Sequence, residues 1–182
     1  MLCDALGERC LAVREPGGTA VGEQLRTLLK DPAVEMSLRT EALLFAAARA
    51  QLIEDVIEPA LAAGRVVVSD RFLDSSLAYQ GAARGLGVEE VAAVNDFATG
   101  GLKPDLTFLL VLDPDAAVAR GAEEDRFESE GMAFQLRVQD AYERMAAAEP
   151  ERWRRVPADR APADVHAEVM AAVESALNGA PA

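Results

Sequence analysis

Arg65-Val66-Val67-Val68-Ser69, running straight into Asp70-Arg71, decides the fold class. Three β-branched residues in a row, without polar alternation, have the pattern of a strand covered on both faces, as in a parallel sheet packed between helices. Upstream, residues 37–63 carry a long helical pattern, with Ser37 as its cap and Pro59 kinking or ending it near the final turn. Before that helix, Cys10 to Arg14 (CLAVR) is a second short apolar run that ends in a loop, Glu15-Pro16-Gly17-Gly18-Thr19, and residues 20–30 return to helical spacing. Downstream, helices are expected at 74–81 and 88–99, separated by a turn at Gly85 and Gly87. A third buried strand follows at 106–112 and ends in Asp113. Helices are expected at 115–121 and 132–148, with a charged segment from Glu123 to Glu130 between them. A final strand at 152–157 and an amphipathic helix at 162–177 close the chain. Strands alternating with helices predict one α/β domain over residues 1–182, a doubly wound parallel sheet whose ligands bind at the carboxyl ends of the strands. Arg14-Glu15, Asp70-Arg71 and Asp113 should gather along that edge.

Composition narrows the partners. The chain has 182 residues, 51% of them hydrophobic, which suits one sizeable core. Its formal charge of -13 argues against a nucleic-acid partner, because affinity for a polyanion comes from Lys and Arg neutralising phosphates. A small anion needs only a local Arg cluster, and apart from Lys30 and Lys103 every basic residue is Arg. Cys3 and Cys10 are too few for a disulfide framework and, with His166 the sole histidine, suggest no metal site. Together with the absence of an apolar run of about 20 residues, they lead us to expect a cytoplasmic protein without a membrane span.

The candidate chemistry sits at strand ends and on one helix face. Arg71 could fork onto a phosphate while Asp70 orients a metal-bound water, or the two could be a surface ion pair. Phe45 and Arg49, four apart, could offer a ring and a guanidinium to one planar ligand, or be a core Phe beside a solvent-facing Arg. Tyr79-Gln80-Gly81 with Arg84 is equally open, with Gln80 able to read an amide-like edge. Arg120 and Arg126 flank an acidic loop and could clamp phosphates or be a solvated surface. Arg152 reads as a surface arginine.

Four motifs in order carry a resemblance: Val13-Arg14-Glu15-Pro16-Gly17-Gly18-Thr19; Glu41 to Arg49 (EALLFAAAR); Asp70-Arg71-Phe72 with Asp74-Ser75-Ser76-Leu77-Ala78-Tyr79-Gln80-Gly81; and Pro104-Asp105-Leu106-Thr107. With Asp125-Arg126-Phe127-Glu128, the chain resembles bacterial thymidylate kinase. The resemblance implies a P-loop nucleoside monophosphate kinase fold and transfer of the ATP γ-phosphoryl group to dTMP, with Mg2+ and a possible homodimer. It implies that Phe45 stacks on thymine, Arg49 and Gln80 bond its edge, Ser76 lines the base pocket and Tyr79 lies against the sugar. Arg71, Arg26 and Glu15 would surround the dTMP phosphate, and Arg120 and Arg126, in a lid near 120–130, would stabilise the transferring group. Asp70 would reach the metal through water.

The family's G-x-x-x-x-G-K-S/T loop does not occur in this sequence, since neither lysine follows a glycine or precedes Ser or Thr. Residue 1 falls in what reads as the end of the helix after that loop. The expectation is therefore a chain missing its first strand and the loop, on the order of 20 residues. It would be a kinase in its complete form; alternatively it is a non-catalytic dTMP-binding relative or an inactive fragment.

Overall fold

A computed structural model describes residues 2–112 and 130–179. The strands form close to the expected positions. β1 (Cys10–Arg14) and β2 (Val66–Asp70) run parallel, with Cys10 opposite Val66 and Arg14 opposite Asp70. β3 (Thr107–Val111) and β4 (Trp153–Pro157) form a second parallel pair, with Thr107 opposite Trp153. Among the described residues these are two separate two-stranded sheets rather than the one continuous sheet expected. They nevertheless share an apolar layer, because Val66 and Val68 of β2 and Phe108 of β3 all pack on the cluster of Leu6, Cys10 and Val173. Arg14 and Asp70 stand side by side at one edge as anticipated, while Asp113 lies outside the described residues.

Local rules account for the helices. Before α1 (Leu2–Leu6) hands the chain to β1, a 3-10 turn spans Gly7–Arg9. Thr19 caps α2 (Ala20–Lys30) by accepting from the Gly22 N–H at 2.9 Å. Ser37 caps α3 (Leu38–Leu52) by accepting from the Thr40 N–H at 3.2 Å. α3 passes through a π-helical turn, Ile53–Ile57, into α4 (Glu58–Ala62). That turn accommodates Pro59, which has no N–H to give and whose ring would crowd the carbonyl one α-turn back. There the Glu58 N–H reaches back five residues to Ile53 O. α5 (Leu73–Ser76) likewise opens into a π turn, Leu77–Ala83. α6 (Val88–Thr99), α7 (Met132–Ala148) and α8 (Pro162–Gly179) complete the chain, the first two within the expected limits. The helix expected at 115–121 lies outside the described residues.

Two expectations are corrected here. Cys3 and Cys10 are joined in a disulfide, their Cα atoms 5.1 Å apart. Counting cysteines ruled out a framework, but a single bridge needs only that α1 fold back on β1, which the shared packing of Leu6, Cys10 and Val173 brings about. Nor is Arg152 a surface residue. Its Nη1 and Nη2 donate to the two Asp74 oxygens at 2.7 and 2.9 Å, and Nη1 also donates to Thr107 Oγ1 at 2.9 Å. With side chains 13% and 6% exposed, Arg152 and Asp74 tie α5 to the starts of β3 and β4.

Breaking this clamp leaves a largely buried carboxylate without its partner. Arg152→Ala should therefore lower stability by roughly 2–4 kcal/mol. Arg144→Ala, which removes an exposed pair with Asp140, should cost less than about 1 kcal/mol. Urea denaturation of both variants measures the difference, and equal losses would contradict the clamp.

Candidate functional site

The first wall of the site is the loop after β1. The Glu15 N–H donates to Asp70 O at 3.0 Å, so the end of β1 is tied to the end of β2 beyond the last strand pair. A Cβ on Gly22 would come within 2.8 Å of Gly17 O, which is why the loop can lie against the first turn of α2. Glu23 Oε1 accepts the Gly18 N–H at 2.9 Å. That bond, with Arg14 nearby, holds the Glu23 carboxyl below its ordinary range. Arg26 donates to Pro16 O at 2.9 Å.

The deepest part is a buried charged network. Arg49 is 2% exposed, and its Nε and Nη2 both meet Glu15 Oε2, at 2.8 and 2.5 Å. Its Nη1 donates to Ser76 Oγ at 3.1 Å and to Asn95 Oδ1. Asn95 is fixed in turn by donating to Val91 O at 2.8 Å. Glu15 Oε1 is buried without a hydrogen-bond partner among the described residues. Burial raises the Glu15 carboxyl above its ordinary range, and Arg49 opposes that rise. A second network lies along the same helix: Gln80 Nε2 donates to Glu41 Oε1 at 2.9 Å, and Arg84 donates to both Glu41 oxygens, at 3.3 and 3.2 Å.

At the strand edge Arg71 has φ +67°, a left-handed backbone unusual for a residue with a side chain. Ser69 Oγ donates to Arg71 O at 2.5 Å, and the guanidinium lies 5.0 Å from the centre of the Tyr79 ring. Beside it the Tyr142 and Ser75 hydroxyls are 2.8 Å apart. Burial pushes the Tyr142 phenol up to about 12.

These parts enclose one cavity of about 860 Å³. Nine candidate residues border it: Glu15, Arg26, Phe45, Arg49, Asp70, Arg71, Ser76, Tyr79 and Gln80, whereas Arg84, also a candidate, does not line it and holds Glu41 instead. Of the two readings left open for Arg49, the solvent-facing one is excluded. Arg120 and Arg126 lie outside the described residues. Sequence reasoning missed Asn95 and Tyr142, for which no local pattern exists, and gave no role to Glu41. The signal for Glu41 was its spacing, since residues 41, 45 and 49 fall on one helix face. No group of three metal-ligating side chains occurs among the described residues. Asp70, a carboxylate bordering the cavity, still fits Mg2+, which typically takes one or two carboxylates with waters and substrate phosphates.

Guanidiniums at strand ends beside aromatic rings define an α/β protein with a site for a planar, anionic small molecule. The thymidylate kinase family profile matches residues 1–169. The thymidylate kinase of Synechococcus sp. (strain JA-2-3B'a(2-13)) is 50% identical over 173 residues, covering 94% of this chain and 82% of the relative. That of Lactobacillus helveticus (strain DPC 4571) is 46% identical, covering 92% and 82%. The chain belongs to the thymidylate kinase family.

Tyr142 gives the site a pH signature. An unfolded tyrosine ionises near pH 10, whereas the folded one keeps its proton to about 12. The folded state therefore binds more protons between those values, and stability falls as pH rises from 10 to 12. Spectrophotometric titration of the folded protein should show a phenol ionising late, and Tyr142→Phe should abolish that component.

Proposed function

We propose that this chain is a nucleoside monophosphate kinase that transfers the γ-phosphoryl group of ATP to dTMP, giving dTDP. The observation that carries the reading is the convergence on one cavity of residues drawn from separate motifs between positions 15 and 80. Phe45 stacks on thymine, and Arg49 and Gln80 bond its edge beside Ser76. Tyr79 meets the sugar, and Arg71 with Arg26 binds the phosphate. Glu15 acts beside them through Arg49: its charge is balanced there, so it need not repel a phosphate dianion. Asp70 would hold Mg2+ through water, and the ion would neutralise charge on the phosphates. Arg120 and Arg126, which lie outside the described residues, would stabilise the transferring group. Catalysis of this kind rests on positioning and electrostatics.

Residues 1–182 form one domain in this proposal, with a further parallel strand between β2 and β3 making the two pairs one doubly wound sheet. Two features support this: among the described residues β2 pairs only with β1 and β3 only with β4, and both pack on one apolar cluster. A cytoplasmic location and a homodimer belong to the same proposal. The first rests on the family match alone, since the Cys3–Cys10 disulfide removes the cysteine argument for a reducing compartment. For the second, Phe97 is 92% exposed.

Two measurements test this reading. By calorimetry, Arg71→Ala should weaken dTMP binding roughly tenfold or more, as expected for a lost charge-assisted phosphate contact, while Arg144→Ala should leave it unchanged. In a coupled assay for ADP, the protein should turn over dTMP with ATP and Mg2+, and Arg71→Ala should raise the KM for dTMP roughly tenfold or more; an unchanged KM would overturn the phosphate site.

A further inference from the structure

Glu41 lies one helical turn before Phe45 and two before Arg49, and it is 1% exposed. Arg84 forks onto it through Nε and Nη2, and a carboxylate held by a guanidinium can only accept hydrogen bonds. Gln80, 2% exposed and bordering the cavity, meets the same carboxylate. A glutamine amide has a donor end and an acceptor end, and the neighbour decides which end faces it. Glu41 draws the nitrogen, at 2.9 Å, so the carbonyl oxygen is the end turned away from the carboxylate and left to serve a ligand.

We propose that Glu41 is a positioning residue for specificity: by fixing the Gln80 amide, it makes the site select a pyrimidine whose N3 carries a hydrogen over one whose N3 is a bare acceptor. Thymine and uracil satisfy this requirement, and cytosine does not. Arg49, a donor-only guanidinium, suits the adjacent ring carbonyl and not the amino group that cytosine carries there. A donor from Arg49 and an acceptor from Gln80 are together the pair that an imide edge complements. A flipped Gln80 would donate its amide N–H to cytosine N3, but its oxygen would then face the Glu41 oxygen, and two acceptors repel. The inference rests on the dTMP reading above and adds to it the origin of discrimination. If Glu41 only balanced Arg84, its loss would lower stability and leave base preference untouched.

The test is calorimetric binding of dTMP, N3-methyl-dTMP and dCMP. The unsubstituted protein should bind dTMP and reject the other two. Glu41→Gln frees Gln80 to turn, so the dTMP-to-dCMP affinity ratio should narrow by roughly tenfold or more, mostly through tighter dCMP binding. Should that variant fail to fold, Glu41→Gln/Arg84→Met removes the buried charges together and should show the same narrowing. Gln80→Met, lacking both amide groups, should also narrow the ratio, through weaker dTMP binding. An unchanged ratio in the Glu41 variants overturns the proposal, as does equal binding of dTMP and N3-methyl-dTMP, and neither result touches the dTMP reading. If the protein does not bind dTMP, both readings fall.

Discussion

The buried ion pair between Arg49 and Glu15 is the constraint on which the site depends. Two charges with side chains 1% and 3% exposed are costly to desolvate, and each is tolerable only because the other is there. Removing one partner of such a pair costs about 3–5 kcal/mol, a large share of a net stability of about 5–15 kcal/mol. The pair therefore holds the loop after β1 against α3, and through Ser76 and Asn95 it holds α5 and α6 there too. Replacement by apolar residues of similar volume would relieve the desolvation cost and remove the donors the cavity needs.

α3 carries the polar groups at intervals of four, with Glu41, Phe45 and Arg49 on one face. Each buried charge on that face has a partner from a different part of the chain: Glu41 has Arg84, and Arg49 has Glu15. The aromatic ring lies between them in sequence and borders the same cavity. A helix whose inward face is charged would be unstable alone, so its order depends on tertiary partners rather than on propensity.

Much of this was legible in the sequence, for identifiable reasons. β2 announced itself because three consecutive valines leave few alternatives to a covered strand, α2 because residues 20–30 return to helical spacing after the Gly17-Gly18 loop, and α6 because the turn at Gly85 and Gly87 precedes it. Phe45, Arg49, Arg71, Tyr79 and Gln80 stood out through motif and position. What escaped was set by partners far away along the chain. Asp74 and Arg152 are 78 residues apart and Arg49 and Asn95 are 46 apart, so no local pattern couples them. Arg152 looked like a surface residue because nothing adjacent hinted at Asp74. The disulfide escaped because a count of cysteines says nothing about two that a short helix folds together.

The position of Glu15 explains how the two ends of the cavity stay in register. Its main-chain N–H bonds Asp70 O, next to Arg71, while its side chain bonds Arg49 on α3. One residue thus fixes the distance between the strand edge at Asp70 and Arg71 and the α3 face that carries Arg49. The opposite side is held as firmly, because Tyr79 packs edge-on against Phe134 and Tyr142 of α7, with ring centres 6.0 and 6.5 Å apart. Tyr79, which carries the Arg71 guanidinium, and Gln80, held by Glu41, are consecutive in the π turn after α5. The cavity's polar groups are therefore held at set spacings by their protein partners, and for a ligand of the kind proposed above such preorganisation would reduce the ordering cost of binding.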